Sequence, residues 1–147
     1  MPAGNETAAM NVRDDLFAQH HGLVRTRELL AIGMDDEWIR IARNYGAFVH
    51  VRHGWWALPG TPERLLQAWR AGGRLACVSA LAFHGVSLDL GGPLHIEVAA
   101  GSKGALQPGT RVHWSTSQSN GDRRAVSVEV AWRQAARCRQ TTSAPPR

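Results

Sequence analysis

Residues 26–58 read TRELLAIGMDDEWIRIARNYGAFVHVRHGWWAL, and the order of patterns in this stretch decides the fold of the surrounding chain. A first helical pattern ends at Gly33, and a second begins behind Asp35 and ends at Gly46. The period then shortens to that of strands, with a basic tip before Gly54 and an apolar run after it. Two helices joined by a tight turn and followed by a hairpin predict a winged helix-turn-helix.

The second helix of this stretch carries its own start signal and two distinct faces. Asp35 can cap its first turn, while the carboxylates of Asp36 and Glu37 complement the positive end of the helix dipole. The helical period directs four apolar side chains towards the core: Trp38, Ile39, Ala42 and Tyr45. The outward face then carries five polar side chains: Asp36, Glu37, Arg40, Arg43 and Asn44.

The chain before this stretch predicts one more helix and a short connection. Residues 12–21 form an amphipathic helical pattern that includes an inward Val12, and Leu23-Val24 reads as an extended link. Thr26 is a candidate cap for the next helix, whose Leu30 is a candidate core residue beside Leu29. Together with the hairpin, these elements make residues 12–60 one predicted domain.

Beyond residue 60 the pattern is that of a small α+β domain. Thr61-Pro62-Glu63 is a helix start, followed by a buried stripe of Leu65, Leu66 and Trp69. Ser79 is a candidate cap for another short helix. Three short strands and a helix complete the pattern: residues 94–98, 112–114, 126–128 and 129–139. We therefore expect an α+β fold with these segments: a disordered N-terminus at 1–11, the winged helix-turn-helix at 12–60, the small α+β domain at 61–139 and a disordered tail at 140–147.

The charge distribution gives only partial support for nucleic-acid binding. The net charge is +5, and all but one of the 17 cationic side chains are arginine, which suits forked contacts with phosphates and base edges. Up to Gly60 six arginines face seven acids, a balance of −1, so the positive excess lies in the second half. Any DNA affinity of the first half must therefore come from a local basic patch.

The candidate DNA contacts fall into three groups. Arg40 and Arg43 point outward from the second helix, where they can read base edges or phosphates; a solvated face with an ion pair from Glu37 is the alternative. The hairpin tip offers His50, Arg52 and His53. The start of the preceding helix offers Arg25 and Arg27 beside its free N–H groups, which can hold a phosphate.

Two further features of the stretch leave alternatives open. Asp36 and Glu37 can accept hydrogen bonds from cytosine amino groups, or they can simply compensate the helix dipole. Trp55 and Trp56 can stack on unpaired bases. Because neighbouring side chains on a strand face opposite ways, the alternative is one core tryptophan and one partly exposed.

Catalytic, metal and membrane motifs are not evident in the sequence. Two histidine pairs, His20-His21 and His50-x-x-His53, have no cysteine nearby to complete a zinc site, and Cys77 and Cys138 read as small buried hydrophobes. Asp89, Glu97 and Glu129, with the lone Lys103, do not form a nuclease pattern. We therefore expect no enzyme, no metal and no cofactor, in a reduced, cytoplasmic and membrane-free setting.

The chain resembles the N-terminal region of the AbiEi family of type IV antitoxins. The likeness lies in HGLVRTRELLAIGM, IRIARNYGAFVHVRHGWWAL, SALAFHGV and LHIEV, and it covers residues 12–138. It implies a winged helix that binds operator DNA and represses its own toxin–antitoxin operon. Since relatives continue beyond VEVAWRQAARC, the resemblance also implies that this chain is C-terminally truncated.

These observations favour a DNA-binding transcriptional regulator, an antitoxin-like autorepressor. The expected partners are double-stranded DNA of its own operator, bound by a possible homodimer, and a cognate toxin or its operon. One alternative is a protein–protein interaction module on the same scaffold. The other is a non-catalytic remnant of a nuclease-fused relative.

Overall fold

The computed structural model describes residues 12–87, 91–99, 107–115 and 120–142, and it shows a mixed α+β protein with two small sheets. The chain divides between Pro62 and Glu63 into two compact units. The N-terminal segment predicted to be disordered and the last five residues of the predicted tail lie outside the described ranges. None of the helices in those ranges is long and apolar enough to span a bilayer.

Within its described residues, 12–62, the first unit contains three helices and one three-stranded antiparallel sheet. In chain order the elements are α1 (residues 12–19), β1 (Leu23–Arg25), α2 (Thr26–Ala31), α3 (Asp36–Asn44), β2 (Val49–Arg52) and β3 (Trp55–Ala57). The sheet order is β1-β3-β2, so the segment predicted as an extended link is an outer strand of the sheet. The hairpin β2–β3 therefore has its second strand in the middle.

Helix α3 begins and ends where its sequence signals predict. The Asp35 carboxylate accepts a hydrogen bond of 2.8 Å from the backbone N–H of Trp38, which confirms Asp35 as the N-cap. At the other end Gly46 has a φ of 76°, a left-handed conformation that costs glycine little, and the chain turns there towards β2.

The core of the first unit is an aromatic cluster closed by aliphatic side chains from the helices. The Phe48 ring lies 5.4 Å from Phe17 and 5.9 Å from Trp56, measured between centroids. Leu29 of α2 and Ile39 of α3 are buried against these rings. Burial of large apolar surfaces in this one cluster is what holds the helices to the sheet.

Several apolar residues predicted to lie inward are exposed instead. Trp38 is 58% exposed and Tyr45 is 87% exposed, while Ile39 and Ala42 are buried. Trp38 precedes Ile39 by one residue, which rotates it about 100° around the helix axis, and Tyr45 shares that side seven residues later. The prediction for these two residues was therefore wrong. Val12 and Leu30, also predicted inward, are about half exposed.

Two predicted helix caps have other roles. Thr26 lies inside α2, whose N-cap is Arg25, and the Thr26 hydroxyl accepts a 2.8 Å hydrogen bond from the indole N–H of Trp56. Ser79 lies inside a helix that begins at Cys77, and its hydroxyl accepts a 2.9 Å bond from the backbone N–H of His95. Both hydroxyls thus join elements distant in sequence instead of starting a helix.

The described part of the second unit comprises three helices and a mixed three-stranded sheet. Its elements are α4 (Glu63–Arg70), β4 (Gly73–Leu75), α5 (Cys77–Phe83), β5 (His95–Ala99), β6 (Arg111–Ser115) and α6 (Val128–Thr142). Strand β5 pairs antiparallel with β4 and parallel with β6. The predicted strand at 126–128 is absent, because Ala125 and Val126 make only isolated bridges before α6 begins. Helix α6 reaches Thr142, three residues into the segment predicted as a tail.

The buried stripe predicted for α4 is confirmed, since Leu65, Leu66 and Trp69 are all nearly inaccessible. Next to it, the sheet contains a buried ion pair. The Arg74 guanidinium donates to the Glu97 carboxylate at 2.9 Å, and it also donates to the Asp122 carbonyl oxygen at 2.9 Å. Each buried charge therefore has an opposite charge beside it within the second unit, which offsets the cost of removing it from water.

Removal of the α3 cap should destabilise the first unit. We expect Asp35→Ala to lower the free energy of unfolding by about 1 kcal/mol, because the Trp38 N–H loses its acceptor. Asp35→Asn is the matched control, since an amide oxygen accepts the same hydrogen bond. Urea denaturation followed by circular dichroism measures both, and equal stabilities of the Ala and Asn variants would contradict the role of the cap.

The buried ion pair should show strong coupling in a double-mutant cycle. We expect Arg74→Met to cost about 3–5 kcal/mol of unfolding free energy, because it leaves the Glu97 carboxylate buried without its counter-charge. The double variant Arg74→Met/Glu97→Leu should regain part of that loss. Additive effects of the two single substitutions in the same denaturation experiment would show that the pair is not coupled.

Candidate nucleic-acid interface

The outer face of α3 presents all five of the polar side chains that the helical period assigned to it. Ile39 and Ala42 are buried on the inner side. All five of these polar side chains are exposed: Asp36, Glu37, Arg40, Arg43 and Asn44. The helix therefore has one side committed to the core and one side available for a partner.

Arg40 is held only loosely within its own helix. Its guanidinium lies 3.9 Å from the Glu37 carboxylate one turn earlier, and both side chains are about two-thirds exposed or more. An exposed pair at this distance contributes little stability. A phosphate or a base edge can therefore compete with Glu37 for this guanidinium at small cost.

Arg43 of α3 and His50 of β2 approach the same tryptophan from different elements. The Arg43 guanidinium carbon lies 5.9 Å from the Trp56 ring centroid, and the centroid of the His50 ring lies 5.1 Å from it. Trp56 itself is buried. The end of α3 and the hairpin thus share one aromatic platform, and His50 lies on that platform instead of at the predicted tip.

Arg25 and Arg52 lie on the neighbouring tryptophan. Their guanidinium carbons are 4.5 Å and 5.3 Å from the Trp55 ring centroid, which is within the range of a cation–π interaction. Burial lowers the pKa of Arg52, and the positive charge of Arg25 acts in the same direction. The unit therefore concentrates two positive charges at one half-buried ring, although its overall charge is close to neutral.

The tip of the hairpin is formed by His53 and Gly54. His53 is exposed, and Gly54 has a φ of 81°, as a tight turn requires. The Gly54 carbonyl oxygen accepts a 2.9 Å hydrogen bond from the backbone N–H of Thr26, so the tip is tied to the start of α2.

Two backbone N–H groups at the start of α2, those of Arg25 and Thr26, have acceptors within the first unit. The Glu28 carboxylate accepts a 2.7 Å hydrogen bond from the backbone N–H of Arg25, and its other oxygen lies 3.0 Å from His20. Phosphate contact by Arg25 and Arg27 at this helix start stays a prediction. Arg27 is exposed on the same turn.

Trp38 and Tyr45 add an aromatic surface to α3 that sequence analysis assigned to the core. They lie about two turns apart on the same side of the helix axis. Of the tryptophan pair in β3, Trp56 is buried and Trp55 is half-buried, as expected for neighbours on a strand. The exposed aromatic side chains near the basic residues are therefore on the helix and not on the strand.

Of the carboxylates considered for catalysis, the two within the described ranges lie in different settings. Glu97 is buried in its ion pair with Arg74, and Glu129 is exposed on α6. Asp89 and Lys103 lie outside the described residues.

Potential metal ligands gather in the second unit and not at the two histidine pairs. Among the described residues, the group that can hold an ion comprises Cys77, His95, His113 and Cys138, whose donor atoms all lie within 4.8 Å of one another. Burial lowers the pKa of His95 to about 4, lowers the pKa of His113, and raises the pKa of the Cys77 thiol to about 12. This group was not recognisable from the sequence, because its members are 18, 18 and 25 residues apart along the chain.

Comparison with models of known protein families gives no match for this chain, and a search of curated proteins gives none either. The DNA binding proposed below is therefore argued from the chemistry and geometry of the chain's own residues.

Proposed function

We propose that residues 12–60 form a winged helix-turn-helix that binds duplex DNA, with α3 in the major groove and the hairpin β2–β3 on the adjacent backbone. The observation that carries the proposal is the outer face of α3, where Arg40, Arg43 and Asn44 are exposed above a buried Ile39–Ala42 stripe. An α-helix fits the major groove, and both arginine and asparagine can form two hydrogen bonds to the edge of one base.

The two tryptophans of β3 support the proposal, because arginine side chains from β1, β2 and α3 all contact their rings. Arg43 lies over Trp56, and Arg25 and Arg52 lie over Trp55. An aromatic ring restricts a guanidinium without neutralising it. Such cations are suited to phosphate contacts that position the helix, while base contacts would supply the sequence preference.

The resemblance to AbiEi antitoxins supports a narrower role for this binding. We propose a cytoplasmic autorepressor that occludes the promoter of its own toxin–antitoxin operon. Its partners would be the operator DNA, bound by two copies if the half-sites are inverted, and a cognate toxin. The proposal assigns no catalytic step to the chain.

A second candidate function is a protein–protein interaction module, favoured by one specific observation. Trp38 is exposed in the first turn of α3, beside Asp36 and Glu37, and Tyr45 is exposed at the other end of the helix, about two turns later. Exposed aromatic residues with a charged rim are typical of interaction surfaces. A partner protein would then use the same helix that DNA is proposed to use.

DNA binding should depend on the two arginines of α3. We expect Arg40→Ala/Arg43→Ala to weaken binding to the chain's own upstream DNA about tenfold or more, because a paired contact with a base is worth about 1–3 kcal/mol. Fluorescence anisotropy at two salt concentrations, with shuffled DNA as the reference, measures the specific part. Arg133→Ala/Arg137→Ala is the matched control, since it removes the same charge from exposed positions of α6.

The outcomes of this titration separate the two functions. Equal affinity for the upstream and the shuffled DNA would reduce the role to non-specific charge attraction. No binding to either DNA, together with capture of a partner that is lost in Trp38→Ala/Tyr45→Ala, would establish the interaction module in its place.

Neutralisation of Glu37 should strengthen binding. If Glu37 compensates the helix dipole and repels phosphate, Glu37→Gln removes one negative charge from the interface and raises the affinity for both DNAs several-fold at low salt. The same anisotropy titration measures the change. A selective loss of affinity for the upstream DNA would instead identify Glu37 as an acceptor for a cytosine amino group.

A further inference from the structure

Four elements of the second unit bring one donor side chain each to a common point. Cys77 begins α5, His95 begins β5, His113 is central in β6, and Cys138 lies in the second half of α6. The Nδ1 atom of His95 lies 3.2 Å from Nε2 of His113. The Cys138 Sγ atom lies 3.7 Å from each of these two nitrogens.

The separations among His95, His113 and Cys138 are close to those of ligands around a single tetrahedral ion. With zinc–nitrogen bonds of about 2.05 Å and zinc–sulfur bonds of about 2.3 Å, the edges of a tetrahedron are about 3.3 Å between two nitrogens and about 3.6 Å between nitrogen and sulfur. The observed 3.2 Å and 3.7 Å differ from these edges by about 0.1–0.2 Å. The fourth donor, Cys77 Sγ, lies within 4.8 Å of the other three.

We propose that Cys77, His95, His113 and Cys138 bind one structural Zn²⁺ ion. Two thiolates and two imidazoles are a donor set that zinc favours, and four protein ligands leave no position open for substrate or water. The proposal concerns the second unit and is independent of DNA binding by the first.

The backbone around two of the ligands is held by neighbouring polar side chains. The Gln134 side-chain oxygen accepts a 2.9 Å hydrogen bond from the backbone N–H of Cys77, and its amide nitrogen donates to Glu97 at 3.1 Å. Glu97 is itself held by Arg74. The backbone N–H of His95 donates to the Ser79 hydroxyl. Supporting contacts of this kind orient the ligands of metal sites.

Cys77 also has an unusual backbone conformation. Its φ is 53°, in the left-handed region that residues with a Cβ adopt at a cost of about 1–3 kcal/mol. Such strain is concentrated at functional sites in proteins, and here it occurs at one of the four proposed ligands.

Zinc binding at this site would release two protons. Each imidazole offers a neutral nitrogen lone pair, whereas each thiol loses its proton to solvent as the metal–sulfur bond forms. The two thiolate charges then balance the charge of Zn²⁺. No oxidant or reductant takes part.

Metal analysis of the full-length chain is the first test. Expressed with zinc in the medium and purified without chelator, the protein should contain about one zinc per chain by mass spectrometry, in line with one four-ligand site. After removal of zinc, titration with Co²⁺ should give the visible absorption of a tetrahedral site and a thiolate-to-cobalt band, saturating at one equivalent.

Ligand variants identify the side chains. Cys77→Ser/Cys138→Ser should abolish the thiolate-to-cobalt band. His113→Cys should keep one cobalt per chain with a stronger thiolate band, because it exchanges a nitrogen donor for sulfur. His21→Asn is the control and should leave the titration unchanged; His21 is exposed, with a φ of 58° that asparagine tolerates.

Three results would overturn the proposal. The first is wild-type protein that contains no zinc and binds no Co²⁺ through thiolate. The second is a disulfide between Cys77 and Cys138, detected as the absence of free thiols in protein denatured after purification under reducing conditions. The third is an unchanged cobalt spectrum in His113→Cys. Because the first two use the wild-type chain, they decide the question even if the double cysteine variant does not fold.

Discussion

The indole of Trp56 is the contact on which the first unit depends. It lies in β3, the middle strand, so its backbone is paired on both sides. Its ring packs against Phe48 in the core, and its N–H donates to Thr26 at the start of α2. A buried indole N–H needs an acceptor, and Thr26 provides one that also fixes where α2 meets the sheet. The same ring carries Arg43 and His50, so the core and the proposed DNA-binding surface share one side chain.

The sequence predicted a structural feature correctly where the interaction that determines it joins residues close together in the chain. Asp35 caps α3 through a bond to a residue three positions later, and the stripe on α4 follows from a helical period alone. Thr26 and Ser79 also look like caps, but their hydroxyls bond to Trp56 and His95, which are far away in sequence. Trp38 and Tyr45 were misplaced because hydrophobicity does not show how wide the buried face of α3 is.

The two candidate sites also differ in whether their residues are close together in the sequence. The polar face of α3 follows from spacing within one helix, so its residues could be named from the sequence. The four donors of the proposed zinc site come from different elements, and they meet only because β5 pairs parallel with β6 while α5 and α6 supply the cysteines. No short-range spacing encodes that pairing. The ring contacts of Arg25 and Arg52 with Trp55 were likewise out of reach, since they depend on the register of β1 and β2 with β3.

The Trp55 ring has a guanidinium from each outer strand beside it, and this limits which residues can replace it. The net charge of this unit says little about its local electrostatic field, because the Trp55 ring holds the guanidinium groups of Arg25 and Arg52 close together. A chain that kept both arginines but replaced the tryptophan by an aliphatic residue would keep its isoelectric point. Its two guanidinium groups would no longer be held in place by an aromatic ring. If this surface binds DNA as proposed, aromatic character at position 55 should matter more for its phosphate affinity than the count of basic residues.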